Sequence, residues 1–143
     1  VRAVLAAASI ALASLVPIVG AADASNAADD AYAKQLSDLV NAYRMREGAS
    51  SLAIDAGLAA LAREHSAAMA KAGQPSHDGF PSRVARSGYR VCVENVGWNY
   101  PTPAAQLDGW QHSPEHDKNL RDPRIRRMGI AVVGSYATFI ACQ

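Results

Sequence analysis

Three residues of this chain have types that could do chemistry together: His77, Glu94 and His116. They lie in separated segments, residues 76–79, 93–96 and 110–120. Two imidazoles and one carboxylate form the donor set of an open zinc site, with a position left for water. The same groups also suit a polar cavity that binds a small ligand. Glu94 sits between Val93 and Val96, where a carboxylate needs a partner or a metal, or else its pKa rises. His116 falls one turn into a helix start, which disfavours a charged imidazole and favours the neutral, metal-ligating form. Each residue also has a plainer role. His77 can be an exposed loop histidine, Glu94 a structural carboxylate taking backbone N–H bonds, and His116 a tie to a nearby loop.

Four further residues support or rim such a cavity: Asn95, Trp110, His112 and Ser113. Asn95 can tie its loop with side-chain hydrogen bonds. Trp110 can line a groove, although core packing is the commoner role of a tryptophan. His112 precedes His116 by four residues, but Ser113 and Pro114 break the helix between them. Ser113 can cap the helix that carries His116. No Gly-x-Ser-x-Gly elbow accompanies it, so no catalytic residue is assigned. Glu64-His65 lacks the second histidine of a zinc-protease motif, and His65 falls on an apolar helix face as a core histidine.

The elements that must position these groups follow from periodicity. Tyr32, Leu36, Leu39, Val40 and Tyr43 recur at helical spacing, and Gly48 supplies the stop. Asp55 can cap a second helix with inner face Leu58, Leu61, Ala62, His65 and Met69, ended by Gly73 and Pro75. Residues 81–87 can make one or two turns before Gly88, and 89–93 have strand character. Gly97 to Pro101 is a turn-rich connection. Thr102-Pro103 starts a helix, a hydroxyl cap followed by a proline that needs no N–H. Two apolar runs, 128–133 and 136–142, flank Gly134-Ser135, a two-residue hairpin signal. Helices first, then a helix between strands and a terminal hairpin, give an α+β chain.

The ordered set of motifs resembles the CAP superfamily (cysteine-rich secretory, antigen 5 and pathogenesis-related proteins, the SCP-like domain) in its short bacterial form. The resemblance runs from about Leu39 onward: Asn41 with Arg44 and Gly48, then Leu52, Asp55 and Leu58, then Ala62, His65, Ser66 and Met69. Arg83 with Gly88-Tyr89, Glu94-Asn95-Val96, and Trp110 through Ser113-Pro114 to His116, Asn119 and Leu120 continue it. Three positions depart: Val93 stands where a glycine is usual, Glu115 precedes His116, and Thr138-Phe139 replaces Thr-Gln. The resemblance implies a three-layer α/β/α sandwich around a small central antiparallel sheet. It also implies that His77, Glu94 and His116 surround one cavity.

The N-terminal residues read as a secretory signal: one basic residue, Arg2, an uncharged run over 3–20, then Ala22-Asp23-Ala24 as a cleavage pattern. The domains are then 1–24 as signal, 25–34 as an Ala/Asn/Asp-rich flexible leader, and 35–143 as the CAP domain. No stable membrane span remains after signal removal. Cys92 and Cys142, an even count in an exported chain, read as one disulfide. A net charge of +1 argues against a nucleic-acid partner held by phosphate contacts. Arg121, Arg124, Arg126 and Arg127 read as a solvated loop, or more sharply as a contact for an anionic surface.

The expectation is an exported module, periplasmic or extracellular, that leans away from catalysis. It binds a small or extended ligand (lipid, peptide or glycan) over His77, Glu94 and His116, with Zn2+ or another divalent metal as candidate cofactor. The rival readings are a zinc-dependent hydrolase that uses the same cavity, and a structural envelope protein. Arg44 is expected to pair with a carboxylate in the core.

Overall fold

The computed structural model describes residues 20–143, so most of the expected signal segment lies outside the described residues. The elements are α1 (Ala21–Arg46), β1 (Ala53–Ile54), α2 (Ala56–Ala72), α3 (Phe80–Ser87), β2 (Cys92–Trp98), α4 (Pro103–Gln111), α5 (Pro114–Leu120), β3 (Arg127–Val133) and β4 (Tyr136–Cys142). They form one sheet in the order β1-β3-β4-β2. Three strands are antiparallel, and the short β1 lies parallel to β3, so the sheet is mixed at one edge.

The stops read from the sequence are where the chain turns. Asp55 caps α2 by accepting from Leu58 N–H at 2.9 Å, and Gly73 ends it in the left-handed region. Thr102 caps α4 over Ala105 N–H at 3.1 Å. Gly134, at φ 58°, opens the two-residue turn between β3 and β4. Ser113 stands at the cap position of α5, but its side chain makes no capping bond.

The sheet separates two apolar layers. On one face α1, α4 and α5 bury Leu36, Val40, Leu107, Trp110 and Leu120 against Ile130, Phe139 and Ala141. On the other, α2 lays Leu58, Leu61 and Ala62 on Ala131 and Ile140, with Phe80 of α3 beside them. This is the three-layer sandwich. Gly129 sets the approach of α2 to β3: a Cβ there would lie 2.1 Å from Ala59 N and 2.2 Å from Leu58 C, both backbone atoms.

Three expectations are corrected. Residues 25–34, read as a flexible leader, are part of α1. Alanine is the best helix former, and this stretch also finds partners. Asp29 Oδ2 accepts from Gly134 N–H at 3.1 Å, and Asp30 pairs with Arg63 of α2. Among the described residues Arg44 pairs with no carboxylate. It is fully buried and donates to carbonyls, to Ser50 O from Nε at 2.8 Å and to Leu120 O from Nη1 at 2.6 Å. Asn41 holds Leu52 N–H and C=O at 2.8 and 3.0 Å, so the Asn41/Arg44 pair pins the chain that leaves α1. Finally, β2 spans Cys92–Trp98 rather than ending at Val93. Its polar centre, Glu94-Asn95, hides the strand from a pattern reading.

An edge strand is a template for unwanted pairing, and β2 is guarded. Gln143 N–H donates to Val91 O and Asn99 N–H to Ser135 O. Odd residues of β2 therefore bond β4, and even residues turn their backbone groups outward. Two of those outward carbonyls are taken by side chains from the neighbouring helices. Trp110 Nε1 donates to Val96 O at 3.0 Å, and Asn119 Nδ2 donates to Glu94 O at 3.1 Å.

Candidate functional site

The three expected residues stand around this guarded edge. Glu94 lies in the middle of β2, with its side chain 1% exposed. His77 lies in the loop between α2 and α3, and His116 lies one turn into α5. Asn95 binds α5 to the strand: its Nδ2 donates to His116 O at 3.0 Å, and its Oδ1 accepts from Asn119 Nδ2 at 2.9 Å. The backbone of His116 is thus fixed to the residue beside Glu94. Tyr43 anchors the other side of α5 by donating to Asp117. Burial, with Asp117 beside it, pushes the Tyr43 hydroxyl up to about 12.

The partner of Glu94 is Arg83. Its Nε donates to Oε2 and its Nη2 to Oε1, each at 2.7 Å, a two-pronged pairing of guanidinium with carboxylate. Arg83 is itself buried, and its Nη1 donates to Asp78 O at 2.7 Å. Local structure puts it there. Gly79 takes φ 75° to enter α3, Pro81 fits the first turn, and Arg83 follows within that turn. In the sequence Arg83 stands out only as a family landmark, not as a site residue. The available signal was that a carboxylate in an apolar strand requires a cation.

His77 Nδ1–H donates to Glu94 Oε1 at 3.0 Å, and the His77 side chain is 55% exposed. A neutral ring held that way leaves Nε2 as its acceptor nitrogen. His65 completes the set from α2. It is buried, its Nε2–H donates to Ser76 O at 2.7 Å, and the same nitrogen is 3.9 Å from Glu94 Oε1. His65 is the core histidine expected, but it also braces the His77 loop.

Burial works to raise the Glu94 pKa, but the His77 and Arg83 hydrogen bonds and the Arg83 charge overrule it and hold the carboxyl below its ordinary 4.5. Burial lowers His65, reinforced by Arg83 and His77 and opposed by Ser76 O and Glu94. Burial also lowers His116, and the neighbouring His77 adds to the shift. The direction for His116 is the one expected, with burial as the first cause and the His77 charge as the second.

These shifts give a pH prediction. His65 and His116 lie below 6.5 in the folded state, so below 6.5 the unfolded chain binds protons that the fold refuses. Stability is full above 6.5 and falls as pH drops through the folded values. Glu94 adds a second loss below 4.5, where the unfolded carboxyl takes a proton first. Urea midpoints measured from pH 8 to pH 3 should fall in both windows, and His65→Gln should flatten the upper one. A flat midpoint between pH 8 and 5 would contradict these histidine environments.

The metal expectation needs correction in its geometry. Among the described residues, no three His, Cys, Asp or Glu side chains are grouped so as to hold one ion. Both Glu94 oxygens face Arg83, and one of them also faces His77. A direct ligand role for Glu94 therefore does not fit this arrangement. The residue instead orients His77, as carboxylates often do for ligating imidazoles. The rim residues separate likewise. Trp110 is fully buried, its ring centroid 6.0 Å from that of Phe139, so it supports β2 rather than lining an opening. His112 ends α4, and its Nδ1–H donates to Asp108 O at 2.8 Å. Its side chain is exposed and makes no bond to the three site residues.

Residues 37–143 match the cysteine-rich secretory protein family, CAP. The chain belongs to that family. Among curated relatives, YkwD of Bacillus subtilis (strain 168), an uncharacterized protein, is 30% identical over 112 residues, covering 73% of this chain and 44% of the relative. YlbC of the same organism, an uncharacterized membrane protein, is 29% identical over 112 residues, 73% of this chain and 32% of the relative. The chain spans less than half the length of these relatives. An extracellular protein containing an SCP domain from Bacillus anthracis shares the fold at TM-score 0.81 and 24% identity, over 90% of this chain and 45% of that one. A cysteine-rich secretory protein from Staphylococcus aureus shares it at TM-score 0.73 and 20% identity, over 80% and 38%. The CAP domain here also carries the expected disulfide, Cys92–Cys142.

Proposed function

We propose that this chain is an exported binding module that presents His77 and His116 as a two-imidazole mouth over a neutralised carboxylate. The observation that carries the reading is the Arg83 fork on Glu94. A carboxylate held ionised by two charge-assisted bonds is a poor general base, because its proton affinity is low. It is, however, a firm anchor for His77. The ligand class is small or extended, a lipid, peptide or glycan, that approaches over the exposed His77 ring.

Export rests on the signal-like N-terminal pattern and on the extracellular description of the Bacillus anthracis neighbour. The Cys92–Cys142 bridge suits an oxidising compartment, periplasm or outside. Among the described residues no helix is long and apolar enough to cross a membrane. The near-neutral charge favours a partner other than nucleic acid.

A divalent ion enters this reading through His77 Nε2 and the His116 imidazole, with Glu94 in the orienting role and water or ligand in the remaining positions. The lowered pKa of His116 favours the neutral ring that such an ion requires. Calorimetric titration of Zn2+ at pH 7.5 into wild type and into His77→Ala/His116→Ala tests it. The double variant should lose at least about tenfold in affinity and keep its fold. Equal affinities would remove metal from the site and leave the binding mouth. Hydrolysis of ester, peptide or glycan substrates by the zinc-loaded protein, abolished by the double variant, would establish the hydrolase reading instead.

A further inference from the structure

The four arginines that follow α5 do not act as one cluster. Arg127 opens β3, and its charge acts on Asp55 and Tyr89 at the start of α2. Arg126 is spent on the backbone, where its Nη1 donates to Pro123 O and Ile125 O. Arg121 and Arg124 instead line an open pocket of about 390 Å³, together with Lys118, Asp122 and Pro123.

The pocket sits where α5 ends. A helix C-terminus ordinarily repels an anion, because its last carbonyl oxygens point outward. Here those oxygens are already taken. Arg44 Nη1 donates to Leu120 O at 2.6 Å and to Asp122 O at 3.2 Å, and Arg126 covers the next two carbonyls named above. Arg44 is a fully buried cation, and its Nη2 has no hydrogen-bond partner. The wall behind the pocket is therefore positive rather than negative.

The lining is basic as well. Lys118 is exposed and, among the described residues, has neither an ion-pair nor a hydrogen-bond partner. Arg121 holds Asp117 through Nη2 at 2.6 Å, and its Nε is left unbonded. Arg124 holds Asp122 through Nε and Nη2, at 3.0 and 2.6 Å, and its Nη1 is left unbonded. Both arginine side chains are exposed, at 48% and 63%, so these pairs are weak and an incoming anion can share their guanidinium groups. Lys118, Arg121, Arg124, Arg126 and Arg44 outnumber the acids beside them, Asp117, Asp122 and Glu47.

We infer that this pocket binds a phosphate group, held by Lys118, Arg121 and Arg124. Charge complementarity selects an anion, and the donor set narrows it. Spare N–H groups on two guanidiniums and one ammonium suit a tetrahedral group with several charged oxygens better than a carboxylate with two. The pocket is open, so the phosphate can belong to a lipid headgroup or to a soluble phosphate chain. The chemistry of recognition is the same for both. The site uses neither His77 nor His116 and stands apart from the proposed histidine mouth.

Tripolyphosphate titrated into wild type at low ionic strength should shift the amide resonances of residues 118–124 and saturate. Added salt should weaken it, because the site is open to screening. Lys118→Gln strands no partner, so it should keep the wild-type Tm while binding about fivefold more weakly. Lys118→Gln/Arg121→Gln should lose at least about tenfold. Arg127→Gln removes the same charge from the α2 end and should bind as wild type does, and so should His77→Ala/His116→Ala. Sedimentation with phosphatidylcholine vesicles, with and without phosphatidylglycerol, separates the two sources. Retention on the anionic vesicles that is lost in Lys118→Gln/Arg121→Gln assigns the phosphate to a lipid headgroup. Tripolyphosphate binding without vesicle retention assigns it to a soluble chain. The inference is overturned if neither probe binds wild type, or if Lys118→Gln/Arg121→Gln binds like wild type. It is also overturned if Arg127→Gln weakens binding as much as Lys118→Gln, since the probes would then be reading net charge and not a site.

Discussion

Arg83→Ala is expected to destabilise the domain by about 3–5 kcal/mol, because it strands the Glu94 carboxylate in a buried strand. The side chains of this pair are 9% and 1% exposed, so water cannot replace the lost partner without opening the α3–β2 contact. Three secondary effects should accompany the loss. The Asp78 carbonyl loses its Nη1 donor, His77 loses the fixed position of its own acceptor, and the Glu94 pKa rises above 4.5. The variant should therefore lose more stability at pH 8 than at pH 5, where the stranded carboxyl can protonate. A control separates pairing from packing: Arg83→Met with Glu94→Leu replaces both charges by apolar groups. Such replacements are often neutral or stabilising, so the double variant should recover most of the loss while His77 is left without an orienting partner. Urea unfolding of the three proteins at both pH values measures this. A single-variant loss below about 1 kcal/mol would mean that the pair behaves like an exposed one.

Reduction of Cys92–Cys142 is the second large effect. The bridge joins register partners on β2 and β4 and closes a loop with a sequence separation of 50. The chain-entropy treatment gives roughly 4 kcal/mol for a loop of this length. For a domain whose whole stability is about 5–15 kcal/mol, that is a large fraction. Thermal unfolding with and without reductant should show a lower Tm for the reduced protein, and Cys92→Ala/Cys142→Ala should match it. The native fold should persist in the reduced form at low temperature, because β2 remains paired to β4 along its whole length. Equal Tm values for oxidised and reduced protein would deny the bridge a role in stability.

The difference between what could be read in the residues and what could not follows from range. Caps and stops are local, and Asp55, Gly73, Thr102 and Gly134 appear where the chain chemistry places them. The hairpin of β3 and β4 needs only two apolar runs and a glycine turn. The convergence of His77, Glu94 and the α5 backbone rests on the family pattern, since no local rule joins a loop, a strand centre and a helix start. The Arg83 fork was hidden for a similar reason. Its pairing with Glu94 spans a helix and a loop, and guanidinium groups elsewhere in the chain, such as Arg44, serve backbone carbonyls instead. The helical character of 25–34 was obscured by its Asn and Asp residues, whose propensity is low. Its contacts to Gly134 and Arg63 are made by residues far away in sequence.

The covalent connection between β2 and β4 also changes what a protease can do to this domain. The stretch between Cys92 and Cys142 is a closed ring that contains α4, α5 and the β3–β4 hairpin. Asn99 and Tyr100, exposed in the connection after β2, are the kind of site where cleavage begins. A cut there opens the ring but leaves both fragments joined at Cys92–Cys142, so β3 and β4 stay with the body of the sheet. Under non-reducing electrophoresis the nicked chain would migrate as one species, and under reducing conditions as two.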